Sequence, residues 1–169
     1  MGFTSIVSVL DKIDEKININ IIHNSKNIYK SIPNYIKNHQ NLNSINVHIF
    51  QNEKYMFPNL ENSHVSEATY FRLFIEDYIE SSNEFLVYLD ADVVCIKNPI
   101  NYFKTKIESM VENDFTIAVM NEPGMPEIDE RALDLGIKSG RYFNAGVMII
   151  NYPKWVDRNI KSKSIEIIK

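Results

Sequence analysis

Cysteine is almost absent: Cys95 is the one thiol in 169 residues. No internal disulfide framework is available, and the chain suits a reducing, cytoplasmic compartment. Cys95 sits in an apolar run and reads as a buried, inert thiol. Long apolar runs are missing too. None approaches the ~18 residues of a membrane span, so no transmembrane segment is expected. The start, Met1-Gly2-Phe3-Thr4-Ser5-Ile6, lacks a basic region and a cleavage site, and Ile6 breaks the myristoylation pattern. Positive charge is not in excess. Eighteen Lys and Arg face 22 Asp and Glu, for a net charge of −4, which removes the electrostatic basis for nucleic-acid binding. Gly-x-Gly-x-x-Gly, a phosphate-cradling Lys loop and Gly-x-Ser-x-Gly are all absent. His23, His39, His48 and His64 have no zinc-ligand spacing and no Cys beside them. No asparagine opens an Asn-x-Ser/Thr sequon, which also favours a protein that is not secreted.

What remains is ordinary globular material, 44% hydrophobic and 24% charged, of a size that suits one domain over 1–169. Helical spacing runs through 4–13. Ile17, Ile19, Ile21 and Ile22 then alternate with polar residues as a strand. Ser25 is placed to cap a helix over about 26–38, with Pro33 inside it. Ile45–Phe50 alternates again, and 51–63 reads as loop. Ser66 is placed to cap a helix running through Arg72 and Ile75. Phe85–Leu89 is a continuous apolar run, the pattern of a central strand covered on both faces. Ile117–Met120 and Val147–Ile150 are further short strands, with a long loop that holds one helical turn over 121–141. Pro153 can open a closing helix. Strand alternating with helix is the grammar of an α/β protein with a mostly parallel sheet, in which ligands bind beyond the carboxyl ends of strands.

Asp90-Ala91-Asp92 follows the Phe85–Leu89 run. Nine Asp in this length give about half an Asp-x-Asp by chance, so placement carries the signal. With a period of two, both carboxylates can project to one side. Their mutual repulsion is relieved by a hard divalent cation such as Mg²⁺ or Mn²⁺. The competing reading is a pair of solvated loop carboxylates. Arg72 is open between an ion pair with Glu76 at i+4 and an anion contact. Asn144-Ala145-Gly146 reads as a turn entering a strand or as a place where a ligand approaches the backbone closely.

Taken in order, three blocks resemble glycosyltransferase family 8: Ser63–Leu73, Phe85–Asp92 with Val93 and the turn at Asn98-Pro99, and Arg141–Asn151 ending at Trp155. Members include bacterial lipopolysaccharide galactosyl- and glucosyltransferases and glycogenin. The resemblance implies a GT-A fold and a retaining transferase that moves a hexose from a uridine diphosphate sugar to a glycan or lipid-linked acceptor. It implies that Asp90 and Asp92 hold Mn²⁺ (or Mg²⁺) against the donor diphosphate and that Ala91 meets the nucleotide through its backbone. Arg72 would reach the donor's phosphate or sugar, and Asn144, Ala145 and Gly146 would line the sugar pocket. Asn121 stands where related enzymes often carry a sugar-contacting Asp.

Two family features lie outside this sequence: a first strand leading into an Ala-x-Asp-x-x-Tyr-like uridine site, and a downstream Asp-Gln-Asp-like segment with a later metal-binding His. The expectation is therefore an incomplete GT-A domain with an uncovered sheet edge that favours self-association. No residue is assigned as nucleophile. The alternative is a catalytically inactive relic that binds nucleotide or a partner. A phosphatase of the haloacid dehalogenase type also places Asp-x-Asp after an apolar strand, but it gives the Asn-Ala-Gly block no role.

Overall fold

The computed structural model describes residues 2–51, 67–121, 124, 128–134 and 136–168. The expected loop over 51–63 and the Ser66 cap fall almost wholly outside these residues.

The first half is a helix-strand-helix-strand unit. Helix α1 (Gly2–Leu10) leads to β1 (Ile17–His23), two single-turn helices α2 (Ile28–Ser31) and α3 (Asn34–Lys37), and β2 (Leu42–Ile49). β1 and β2 pair in parallel, with Ile19 beside Ile45 and Ile21 beside Val47. Period-two alternation sorts the faces. Ile17, Ile19 and Ile21 pack on buried Leu10, Ile13, Ile32 and Ile36. On the other face Asn18 Oδ1 accepts from Asn43 Nδ2 and Ser44 Oγ at 2.6 and 2.8 Å, and Asn20 Oδ1 meets His48 Nε2 at 2.9 Å.

The single helix expected over 26–38 is two helices. Ile32 is extended at φ −68°, ψ 120°, because a residue before proline is pushed out of the helical region. Ser25 does not cap α2. Asn27 occupies that position, and Ser25 Oγ only accepts a long bond from Asn27 N at 3.4 Å.

The second half builds a three-stranded sheet in the order β3-β5-β4. A short helix α4 (Glu67–Tyr70) passes into a 3-10 helix over Phe71–Asp77. Then come β3 (Phe85–Leu89), α5 (Ile100–Glu112), β4 (Ile117–Asn121), α6 (Glu130–Asp134), β5 (Phe143–Asn151), α7 (Tyr152–Asp157) and α8 (Ile160–Ile168). Asn151 caps α7, its side chain accepting from Lys154 N at 3.2 Å, and proline stands in the first turn as the sequence suggested. α5 packs against β4 and β5. Met148, Ile150, Tyr152 and Trp155 form a core with Ile75, joined by Leu86 and Tyr88 of β3. A smaller aromatic cluster stacks Phe50 on Phe71 at 4.1 Å and sets Phe74 edge-on to Phe50 at 5.1 Å. Ile22 of β1 touches both clusters, so β1 shares a core with the second sheet.

The architecture is α/β as expected, with strand direction differing by half. β1–β2 is parallel, while β5 runs antiparallel to both β3 and β4. An apolar run records burial but not direction, which is why the sequence did not separate the two. β3 also pairs with one neighbour among the described strands rather than two, and Val87 is 41% exposed. Cys95 is half-buried rather than buried. Its N–H donates to Ser8 Oγ at 2.8 Å, and its Sγ to Lys97 O at 2.9 Å.

Candidate functional site

The carboxyl end of β3 is where the predicted residues meet. Leu89 pairs with Val147 of β5. One step further the Asp90 N–H donates to Gly146 O at 2.8 Å, and the chain turns, Val93 N donating to Asp90 O at 3.2 Å. Ala91 and Asp92, in that turn, are exposed. The Asp-x-Asp and Asn-Ala-Gly segments are thus adjacent strands of one sheet edge.

Asn144-Ala145-Gly146 lies inside β5 and not in a turn before it. The irregularity is a bulge instead: Val119 pairs with Met148 and Met120 with Asn144, so β5 carries extra residues there. Bulges re-aim side chains and end regular pairing. Here the bulge is closed by Asn144, whose Oδ1 accepts from Gly146 N at 2.8 Å. Gly146 is required by close approach. A Cβ there would stand 3.0 Å from Asn144 Oδ1 and 3.1 Å from Asp90 Oδ2.

Arg72 arrives from the 3-10 helix. Its Nη2 donates to Asp90 Oδ1 at 3.0 Å, with a longer contact to Oδ2 at 3.4 Å. Nη1 donates to Ala145 O at 2.7 Å and Nε to Thr69 O at 3.0 Å. The Glu76 alternative is not formed. In a 3-10 helix of three residues per turn, i and i+4 diverge by about 120°, and Glu76 stands 3.8 Å from Lys161 instead.

Tyr88 has a role that its place within an apolar run does not suggest. Its hydroxyl donates to Asp90 Oδ1 at 2.5 Å, and Arg72 Cζ lies 4.8 Å from its ring centroid, a cation–π distance. Burial, then the bond to Asp90, pushes the hydroxyl well above its usual range, so it is a donor at any physiological pH. The signal was available: residues two apart on a strand share a face, so Tyr88 had to stand beside Asp90. Asn121 ends β4, its backbone paired with Phe143.

The donor set suits a hard cation. Asp90 and Asp92 offer carboxylate oxygens only, and Asp90 Oδ2 lies so close to Gly146 that a Cβ there would stand 3.1 Å from it. Among the described residues no third His, Cys, Asp or Glu joins them. A cation here would take its remaining ligands from water or a bound phosphate. Arg72 would supply a fixed positive charge beside it, and the bulged backbone of β5 a wall against which a polar ring could lie.

Comparison with known proteins agrees on one group. The family model described as Glycosyl transferase family 8 matches residues 3–169. The chain is 37% identical over 109 residues to a lipopolysaccharide 1,3-galactosyltransferase of Salmonella typhimurium, covering 60% of this chain and 30% of that protein. It is 34% identical over 105 residues to a lipopolysaccharide 1,2-glucosyltransferase of Escherichia coli K12, covering 61% and 29%. It therefore spans about a third of the length of these curated relatives. Among solved structures, the apo form of the bifunctional glycosyltransferase WbbM superposes with a TM-score of 0.63 at 17% identity, covering 98% of this chain and 31% of that one. Mouse xyloside xylosyltransferase 1 superposes with a TM-score of 0.58 at 14% identity, covering 98% and 66%. The likeness to these structures shows the fold, α/β and GT-A-like.

Proposed function

The chain belongs to glycosyltransferase family 8, and from that premise we propose that it carries the donor-binding part of a retaining hexosyltransferase. The donor is a uridine diphosphate hexose, and the acceptor a glycan or lipid-linked sugar of the lipopolysaccharide kind that its relatives are named for. One observation carries the reading: Asp90, Arg72 and the Asn144–Gly146 bulge, distant in sequence, form one hydrogen-bonded group at a strand's carboxyl end.

Each residue has a task that follows from its surroundings. Asp90 and Asp92 present oxygen ligands to Mn²⁺ or Mg²⁺. Bound there, such an ion neutralises a diphosphate as it leaves the sugar. Arg72 fixes Asp90 and brings a positive charge to the donor's phosphate or sugar. Ala91, exposed in the turn, meets the nucleotide through its backbone. Gly146 lets the sugar approach β5 closely, Asn144 and Ala145 flank it, and Asn121 offers a polar end to β4.

A second reading, donor binding without turnover, is favoured by the lack of a third protein ligand among the described residues. Catalysis by preorganised charge weakens when a ligand is mobile water. One experiment separates the two. The purified chain is titrated calorimetrically with uridine diphosphate, with and without Mn²⁺, and uridine diphosphate released from its glucose and galactose conjugates is counted. Mn²⁺-dependent binding with release abolished in Asp90→Asn supports the transferase. Mn²⁺-dependent binding without release supports the second reading. Absence of Mn²⁺-dependent nucleotide binding overturns both.

A further inference from the structure

We propose that Tyr88 is a positioning residue that reserves one oxygen of Asp90 for the divalent cation. The proposal rests on the metal reading given above.

A guanidinium and a carboxylate left to themselves pair as a fork, two N–H groups on two oxygens. Arg72 and Asp90 do not. Arg72 Nη1 is drawn away to Ala145 O at 2.7 Å, so only Nη2 faces the carboxylate. It lies nearer Oδ1, at 3.0 Å, than Oδ2, at 3.4 Å. The Tyr88 hydroxyl adds a second donor to that same Oδ1 at 2.5 Å. Oδ1 is thereby committed to two donors. Oδ2 keeps only the longer Arg72 contact and lies against Gly146, where a Cβ would come within 3.1 Å of it.

Without the hydroxyl, no second side-chain donor among the described residues holds Oδ1, and the carboxylate can rotate about its last bond until Nη2 spans both oxygens evenly. Both would then be partly neutralised by Arg72, and neither would be free. The hydroxyl therefore acts through Asp90, as a hydrogen-bonded partner orients a ligating carboxylate. The Tyr88 ring is itself held. It joins the core of Met148 and Ile150 and carries Arg72 on its face at 4.8 Å, so the donor is presented in one place.

The test uses Mn²⁺ alone as probe, read by calorimetry and by paramagnetic relaxation of water, on the wild-type chain and on Tyr88→Phe, Asp90→Asn, Asp92→Asn and the Tyr88→Phe/Asp90→Asn pair. Tyr88→Phe keeps the ring, and its melting midpoint is read alongside. The expected result is about tenfold weaker Mn²⁺ binding in Tyr88→Phe, with no further loss when it is added to Asp90→Asn. Binding within twofold of wild type in Tyr88→Phe, or an additional loss in the Asp90→Asn background, overturns the positioning role while the metal reading stands. A wild-type chain that binds no Mn²⁺, or whose binding ignores Asp92→Asn, overturns the metal reading and this proposal with it. Should Tyr88→Phe not fold, the wild-type chain with ring-labelled tyrosine provides the second measurement. A downfield, exchange-protected Tyr88 hydroxyl proton should persist at saturating Mg²⁺, and its disappearance overturns the proposal.

Discussion

Arg72 donates to the Ala145 carbonyl at 2.7 Å while its other terminal nitrogen holds Asp90 at 3.0 Å. One side chain from a 3-10 turn thus ties the ends of two neighbouring strands. Arg72→Ala leaves an acceptor and a carboxylate without their shared donor. A loss of about 2 kcal/mol is expected in urea unfolding, below the figure for a fully buried pair because the Asp90 side chain is 32% exposed. Arg72→Lys should recover less than half of it, since an ammonium has no fork to span Ala145, Asp90 and Thr69.

Gly146→Ala tests the close approach of β5 to Asp90. The new methyl meets Asn144 Oδ1 at 3.0 Å and Asp90 Oδ2 at 3.1 Å. Asn144 can yield only by releasing its bond to Gly146 N. Expected outcomes are a loss of about 1–3 kcal/mol in stability and weaker Mn²⁺ binding, measured by thermal melting and calorimetry on one preparation.

Asp92→Asn separates binding from folding. Asp92 is exposed, so the substitution should leave stability within about 0.5 kcal/mol. It removes one of the two carboxylates proposed to hold the cation, and Mn²⁺ affinity should fall at least about tenfold. Unchanged Mn²⁺ affinity in a chain that melts normally would remove Asp92 from the site.

Glu76 predicts a pH dependence of its own. Burial raises its carboxyl above the ordinary 4.5, against the opposing charge of Lys161 and with the help of Asp77, and its Oε2 is buried without a hydrogen-bond partner. The folded state therefore holds this proton more tightly than the unfolded chain. The resulting stability is present below pH 4.5 and is lost as pH rises through the raised folded value. Glu76→Gln should flatten that part of the profile and melt no lower than wild type at pH 7. A Gln variant less stable than wild type at pH 7 would show that the pair with Lys161 outweighs burial.

Much of this was legible in the residues, and the remainder was hidden for physical reasons. Phe85–Leu89 was readable to the residue because five apolar side chains between a polar turn and two carboxylates fit only a strand. That β3 has a single neighbour among the described strands was not readable, since side chains report burial and not what the backbone edges bond to. Pro33 stood inside an expected single helix, and the division into two depends on Ile32 adopting an extended backbone. Arg72 was visible as a rare arginine among aromatics. Its partner was not, because i+4 arithmetic assumes an α-helix and the local backbone is 3-10. Asn144–Gly146 was seen as special, but a bulge is a property of two strands and cannot be read from one.

The bonds from Arg72 to Ala145 and to Asp90 span 73 and 18 residues, and this has a consequence for the timing of synthesis. Chains grow at ~5–20 residues per second, so Asp92 is made roughly 3–11 seconds before Gly146. In that interval Asp90 lacks the Gly146 carbonyl, and Arg72 lacks the Ala145 carbonyl that holds its other nitrogen. Closing so long a loop comes late in folding, since its entropy is recovered only when β5 docks. Any cation affinity of this chain should therefore appear abruptly, with the arrival of β5.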